Sequence, residues 1–183
     1  MKPEHRAESL AIYEAGKKDP DFDHPRGLDR LIALGDPEAV FRAGRTWPVF
    51  DFAKGFDVLR SLGSARFIYH AGLEWRSFDY DAGLSALLTL KDPMILFYAG
   101  AHWKRFDYAR GTEGLLASGH CEALYRAGAL WKEFHHARAW KILESKVLEG
   151  EQWRGLAFEN PRWRKALSGI LFAAVRNLDI GAS

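Results

Sequence analysis

The chain has 183 residues, 48% of them apolar, with 26 Lys and Arg against 24 Asp and Glu for a formal charge of +2. That composition can bury a core and excludes an intrinsically disordered chain, while the near-balance of charge excludes an argument for nucleic acid from bulk electrostatics. One cysteine, Cys121, excludes an intramolecular disulfide and fits a reducing compartment.

The opening Met1-Lys2-Pro3-Glu4-His5-Arg6-Ala7-Glu8 carries no apolar core of a signal peptide. The late apolar run from Ile170 to Val175 is too short to cross a bilayer. The expectation is a cytoplasmic protein without membrane contact.

From residue 8 onward the chain repeats itself. Ala-Gly recurs at Ala15-Gly16, Ala43-Gly44, Ala71-Gly72, Ala99-Gly100 and Ala127-Gly128, each step being 28 residues. An aromatic stands two before each Ala (Tyr13, Phe41, Tyr69, Phe97, Tyr125). A Trp stands three after each Gly except the first (Trp47, Trp75, Trp103, Trp131), and a Phe six after it (Phe22, Phe50, Phe78, Phe106, Phe134). The units run 8–35, 36–63, 64–91, 92–119 and 120–147, followed by a degraded capping unit, 148–178, and a tail, 179–183, expected to fray. Together they make one repeat domain, 1–183.

The first unit reads as a terminal cap, with Asp19-Pro20 in the Trp position amid Lys17, Lys18, Asp21 and Asp23. In the second, Asp36 suits an N-cap and Pro37 the first helical position. Val40, Ala43, Gly44 and Trp47 then fall at i, i+3, i+4, i+7, one stripe of an amphipathic helix. Asp51 caps a second helix in which Phe52, Gly55, Phe56 and Leu59 repeat that spacing, and Gly63, like Gly35, ends it. Ser64, Asp92 and His120 take the place of Asp36 in later units, and Pro93 that of Pro37. Each unit is thus a hairpin of two helices of roughly 11 residues, too short to be stable alone. In the sixth unit Trp153 keeps the aromatic position, Gly155-Leu156 replaces Ala-Gly, and Asn160-Pro161 opens a last helix expected to reach Asn177.

Glycine in a helix interior costs about 1 kcal/mol against alanine, yet it recurs in five first helices and, as Gly27, Gly55, Gly83 and Gly111, in four second helices. The expectation is that the two helices of a unit cross there with their backbones in close approach. The Trp and Phe that follow are expected to fill the space between consecutive hairpins, as core and not as a base-stacking platform. The predicted fold is an all-α, right-handed α-solenoid of helix-turn-helix repeats.

The hairpin repeat resembles the α-solenoids to which tetratricopeptide and Sel1-like repeats belong, with a shorter period and without the Trp–Leu–Gly–Tyr pattern of the tetratricopeptide motif. The signature Tyr-x-Ala-Gly-x-x-Trp-x-x-Phe-Asp, here Tyr69 to Asp79, is similar to tandem repeats of uncharacterised bacterial and bacteriophage proteins. The likeness covers residues 8–147 and implies the fold; it implies no activity and no functional residue.

The chain lacks a phosphate loop, a dinucleotide-binding glycine pattern, Gly-x-Ser-x-Gly, His-Glu-x-x-His and spaced cysteine pairs, so no catalytic residue, cofactor or metal is expected. Asp23, Asp51, Asp79 and Asp107 stand at helix starts, where capping accounts for them better than paired-carboxylate chemistry. His120, Cys121, His135 and His136 are the residues from which a metal-dependent enzyme would have to be built, but adjacent helical residues diverge by about 100° and chelate poorly.

Positions that vary between copies while lying off the apolar stripe are better candidates. One column runs Glu14, Arg42, His70, Tyr98, Arg126, Arg154 along the first helices, spaced at roughly 8–10 Å and rich in types enriched at interface hot spots. A second, Arg26, Lys54, Ala82, Arg110, Arg138, lies on the second helices, and a third, Arg76, Lys104, Arg105 and Lys132, in the loops between helices. The function expected is a non-enzymatic scaffold that binds a protein or peptide partner through Arg42, His70, Tyr98, Arg126 and Arg154. The alternative is nucleic-acid binding through Lys54, Arg76, Lys104, Arg105, Arg110, Lys132 and Arg138. Homo-oligomerisation through Trp163 and the apolar Ile170, Leu171 and Phe172 competes with their simply closing the core.

Overall fold

The structure, a computed structural model, describes residues 3–146 and 149–169. Its helices are α1 (Pro3–Lys18), α2 (His24–Leu34), α3 (Pro37–Thr46), α4 (Phe52–Ser61), α5 (Ala65–Glu74), α6 (Tyr80–Leu90), α7 (Pro93–His102), α8 (Tyr108–Ser118), α9 (Cys121–Leu130), α10 (His136–Ser145) and α11 (Glu149–Glu159), with α12 over 161–169. No strand occurs among the described residues. The fold is the expected all-α solenoid. Ile170, Leu171, Phe172 and the tail 179–183 lie outside the described residues.

The N-caps follow the sequence. The Asp23, Asp51, Asp79 and Asp107 carboxylates each accept a backbone N–H from the first turn of the second helix they precede. Asp36 and Asp92 do the same for α3 and α7, and the His120 imidazole, through Nδ1, for α9. Ser64 occupies the same position without making the side-chain bond. Helix α1 starts at Pro3, ahead of the unit boundary at residue 8, with Pro at its start and Glu4 in its first turn where both are favoured.

First helices pack against first helices: α3 lies between α1 and α5, and α7 between α5 and α9. Second helices touch one another far less, each resting instead on the first helix of its own unit and of the next. The first helices form the more closely packed layer of the stack, and the stripe they leave uncovered is its inner face.

What joins one unit to the next is a socket. The indole of Trp75 reaches back into the preceding unit, where its Nε1 donates to the Phe41 carbonyl at 3.0 Å. The same bond, across the same 34 residues, joins Trp47 to Tyr13, Trp103 to Tyr69 and Trp131 to Phe97. The rings are buried, and a Phe meets each edge-on, as Phe50 does Trp75 at 5.3 Å and 63°.

This geometry corrects the expected reason for the glycines. A Cβ on Gly44 would lie 2.5 Å from the Trp75 ring, and one on Gly55 would lie 2.5 Å from Phe50. The space left by the missing side chains is filled by aromatic rings, so no close backbone crossing is made. The glycine in the first helix of one unit is the floor for the Trp of the next, and the helical propensity it sacrifices is returned as buried aromatic area.

Three unit boundaries end their second helix on a left-handed glycine: Gly35, Gly63 and Gly119. At the fourth the same conformation is taken by Lys91, with φ 55°, at a cost of about 1–2 kcal/mol for an L-residue.

Candidate interaction surface

The inner face is the stripe of each first helix opposite its buried side. In α3 this is Glu38, Arg42, Arg45 and Thr46, while Ala39, Val40, Ala43 and Gly44 point into the core. The corresponding residues are Arg66, His70, Leu73 and Glu74 in α5, Met94, Tyr98, Ala101 and His102 in α7, and Glu122, Arg126, Ala129 and Leu130 in α9.

The first-helix column therefore lies on this inner face, but its members are not equivalent. Arg42 is paired with Glu38 at 2.5 Å and Arg126 with Glu122 at 2.8 Å, each within its own helix. Glu14 is paired with Lys18, whose ammonium holds that carboxyl below its ordinary pKa. Arg154 donates to the Leu143 carbonyl at 2.6 Å, tying α11 to the end of α10.

His70, whose Nδ1 also lies 3.8 Å from the Glu74 carboxylate, and Tyr98 join an aromatic cluster at the centre of the face. The Tyr69 hydroxyl and His102 Nδ1 are hydrogen-bonded at 2.8 Å between α5 and α7. Tyr98 stacks on His102 with ring centroids 6.0 Å apart and planes 11° apart. Tyr69 lies 5.1 Å from His70 and 6.2 Å from Tyr98. Burial, and then the neighbouring Tyr98, hold the Tyr69 phenol above its ordinary pKa. It is thus protonated at neutral pH and donates whenever His102 Nδ1 is unprotonated.

Tyr69 and His102 were missed as site residues. Tyr69 sits in a core column whose other members include Phe41 and Phe97, and the hydroxyl is the only sign in the sequence that one end reaches water. His102 is four residues after Tyr98, hence on the same helical face.

The cluster sits in an unbalanced field. At the stripe positions the cations are Lys17, Lys18, Arg42, Arg45, Arg66, Arg126 and Arg154, and the carboxylates are Glu14, Glu38, Glu74 and Glu122. Each of these glutamates already has a cation within ion-pairing distance, Glu74 being held by Arg45 from the adjacent helix at 3.0 Å. Arg66, beside the cluster, makes no ion pair among the described residues and lies over the Phe67 ring at 5.7 Å. The near-neutral total charge conceals a cationic inner face.

The second-helix column lies on the opposite layer, where three of its cations are paired. Lys54 pairs with Asp29, Arg110 with Asp81, and Arg138 with Glu113, each pair linking consecutive second helices. Among the loop residues, Arg76 donates to the Trp47 and Pro48 carbonyls of the preceding loop and lies over Phe52. Lys104, Arg105 and Lys132 are exposed.

In the fifth unit His136 Nε2 is hydrogen-bonded to the Gly128 carbonyl at 2.9 Å, and its ring meets Trp163 edge-on at 4.8 Å. Tyr80 and Tyr108 reach the equivalent carbonyls, Gly72 and Gly100. Among the described residues no three His, Cys, Asp or Glu converge on a point where a metal ion would sit, and no helix is long and apolar enough to cross a membrane.

No protein-family model matches the chain, nor does any curated protein or solved structure.

Proposed function

We propose that the chain is a non-enzymatic helical-repeat scaffold whose inner face binds an extended, acidic peptide segment of a protein partner. The observation that carries this reading is Arg66, a cation without a carboxylate partner among the described residues, beside the half-buried rings of Tyr69, His70 and Tyr98, on a face whose own glutamates are all engaged. Aromatic rings give a peptide large contact area at low entropic cost, and a cationic field selects acidic over basic segments. Repeat stacks commonly bind along such surfaces.

A screen of displayed peptides against the chain, with the Arg66→Ala/His70→Ala/Tyr98→Ala variant in parallel, tests it. Acidic peptides should be enriched by the parent and lost by the variant, while both retain the same helicity. Equal capture by the two, or enrichment of basic peptides, would sink the reading.

Nucleic acid is the second reading, favoured by Lys104, Arg105 and Lys132, exposed along the edge formed by the inter-helix loops. It requires oligonucleotide binding that weakens by about 0.7–0.9 log unit per log unit of salt for each phosphate neutralised. No binding at low salt would remove it.

A further inference from the structure

In a chain built from near-identical units, places where the pattern is broken are informative when they meet in space. Two such departures line one hollow of about 230 Å3 between α6, α7 and α8. Lys91 adopts the left-handed conformation that glycine takes at the other boundaries described. Gly114 stands where other units have Arg30, Val58, Ala86 and Ile142, and belongs to neither glycine ladder. A Cβ on it would fall 2.3 Å from Leu88 Cδ2 and 3.0 Å from Leu96 Cδ2, so any side chain there would displace a wall of the hollow.

The walls are Leu87, Leu88, Leu96 and Pro93, with polar groups at the mouth. Two of these are committed. Asp92 accepts the Ile95 N–H as the cap of α7, its charge offset by the positive end of that helix. The Ser118 hydroxyl donates to the Leu115 carbonyl and accepts the His120 N–H. Lys91 makes no ion pair among the described residues and offers donors only.

We propose that this hollow is a binding site for a small apolar monocarboxylate, its hydrocarbon body against the leucines and its carboxylate on the Lys91 ammonium. The size is suitable: a leucine-lined cavity of about 150 Å3 holds a benzene ring, leaving room here for a short acid bearing one ring or a chain of similar bulk. The site lies away from the inner face and does not depend on peptide binding there. A glycine at 91 would serve the turn with less strain, so the lysine stands there against backbone preference.

The experiment is a nuclear magnetic resonance titration of the full chain with phenylacetate, with hexylamine and hexanol as probes of opposite and zero charge. Phenylacetate should shift the Gly114 amide and the Ala117 methyl saturably, and hexylamine should not. Lys91→Gly should leave the thermal midpoint equal or higher and weaken phenylacetate about fivefold, the size of an exposed ion pair. Ala117→Leu, at the exposed lip of the hollow, should abolish binding without unfolding. Equal binding of the three probes, an unchanged affinity in Lys91→Gly, or shifts confined to other regions would each overturn the proposal.

Discussion

Trp163 occupies against Gly128 the place that Trp131 occupies against Gly100. In both pairs the indole comes within 2.5 Å of where a glycine Cβ would lie. The Trp163 Nε1 donates to the Tyr125 carbonyl at 2.9 Å, as Trp131 does to Phe97 at 3.1 Å. The sequence separation is 38 instead of 34 residues, because Trp163 comes from inside α12, capped by Asn160, and not from the end of a first helix. The ring is fully buried, so of the two roles weighed for Trp163 it closes the core. Trp163→Ala should cost about 3–5 kcal/mol, read by denaturant unfolding, with loss of order concentrated in α9 to α12.

The same substitution should have opposite signs at two helical glycines. Gly72→Ala places a methyl 2.4 Å from Trp103 Nε1 and should destabilise by about 1–3 kcal/mol in spite of better helix propensity. Gly155→Ala in α11 meets nothing within 4 Å among the described residues and should stabilise by about 1 kcal/mol. Urea midpoints of the two variants decide the matter.

Tyr80 donates to the Gly72 carbonyl, whereas the equivalent residue in the second unit is Phe52. Tyr80→Phe should therefore cost no more than about 0.5–1.5 kcal/mol, the net worth of one hydrogen bond. A larger loss in calorimetry would show that the Phe52 junction is compensated elsewhere.

Cys121 is buried, and burial first, then the Glu149 carboxylate, raise its thiol pKa. A raised folded pKa favours the protonated native state. The associated stability is present below the pKa of the unfolded thiol and is lost as pH climbs through the folded value. A thiol reagent at pH 8 should label the native chain slowly and the urea-unfolded chain rapidly. Equal rates would contradict the burial.

The ion pairs between second helices lie in solvent, so Arg138→Ala should change stability by less than about 1 kcal/mol, with an effect that shrinks on adding salt. Thermal midpoints at low and high salt provide the check.

Repeat spacing made the hairpins, their caps and the buried Trp ladder legible, because each of these recurs in register from unit to unit. The reason for the glycines was not legible, since the ring that fills the space above Gly44 comes from Trp75, in the next unit. The columns were placed on the right helices, but the face each one occupies follows from how tightly like helices stack. That spacing depends on summed side-chain volumes across several units. Tyr69 was hidden by its own company, a core column in which only a hydroxyl marks it out. Lys91 stands in the register of Gly35, Gly63 and Gly119, but that it keeps their left-handed conformation follows only from its backbone angle.

Because every socket joins a unit only to its immediate successor, the junctions are interchangeable parts. Removing residues 64–91 would bring Trp103 to the floor at Gly44 that Trp75 now uses, and inserting a copy would add one more of the same joint. Length can then change in whole units without inventing a new interface, while a single residue inserted between a glycine floor and its Trp would put that one joint out of register. The unbroken 28-residue step is the mark of that constraint.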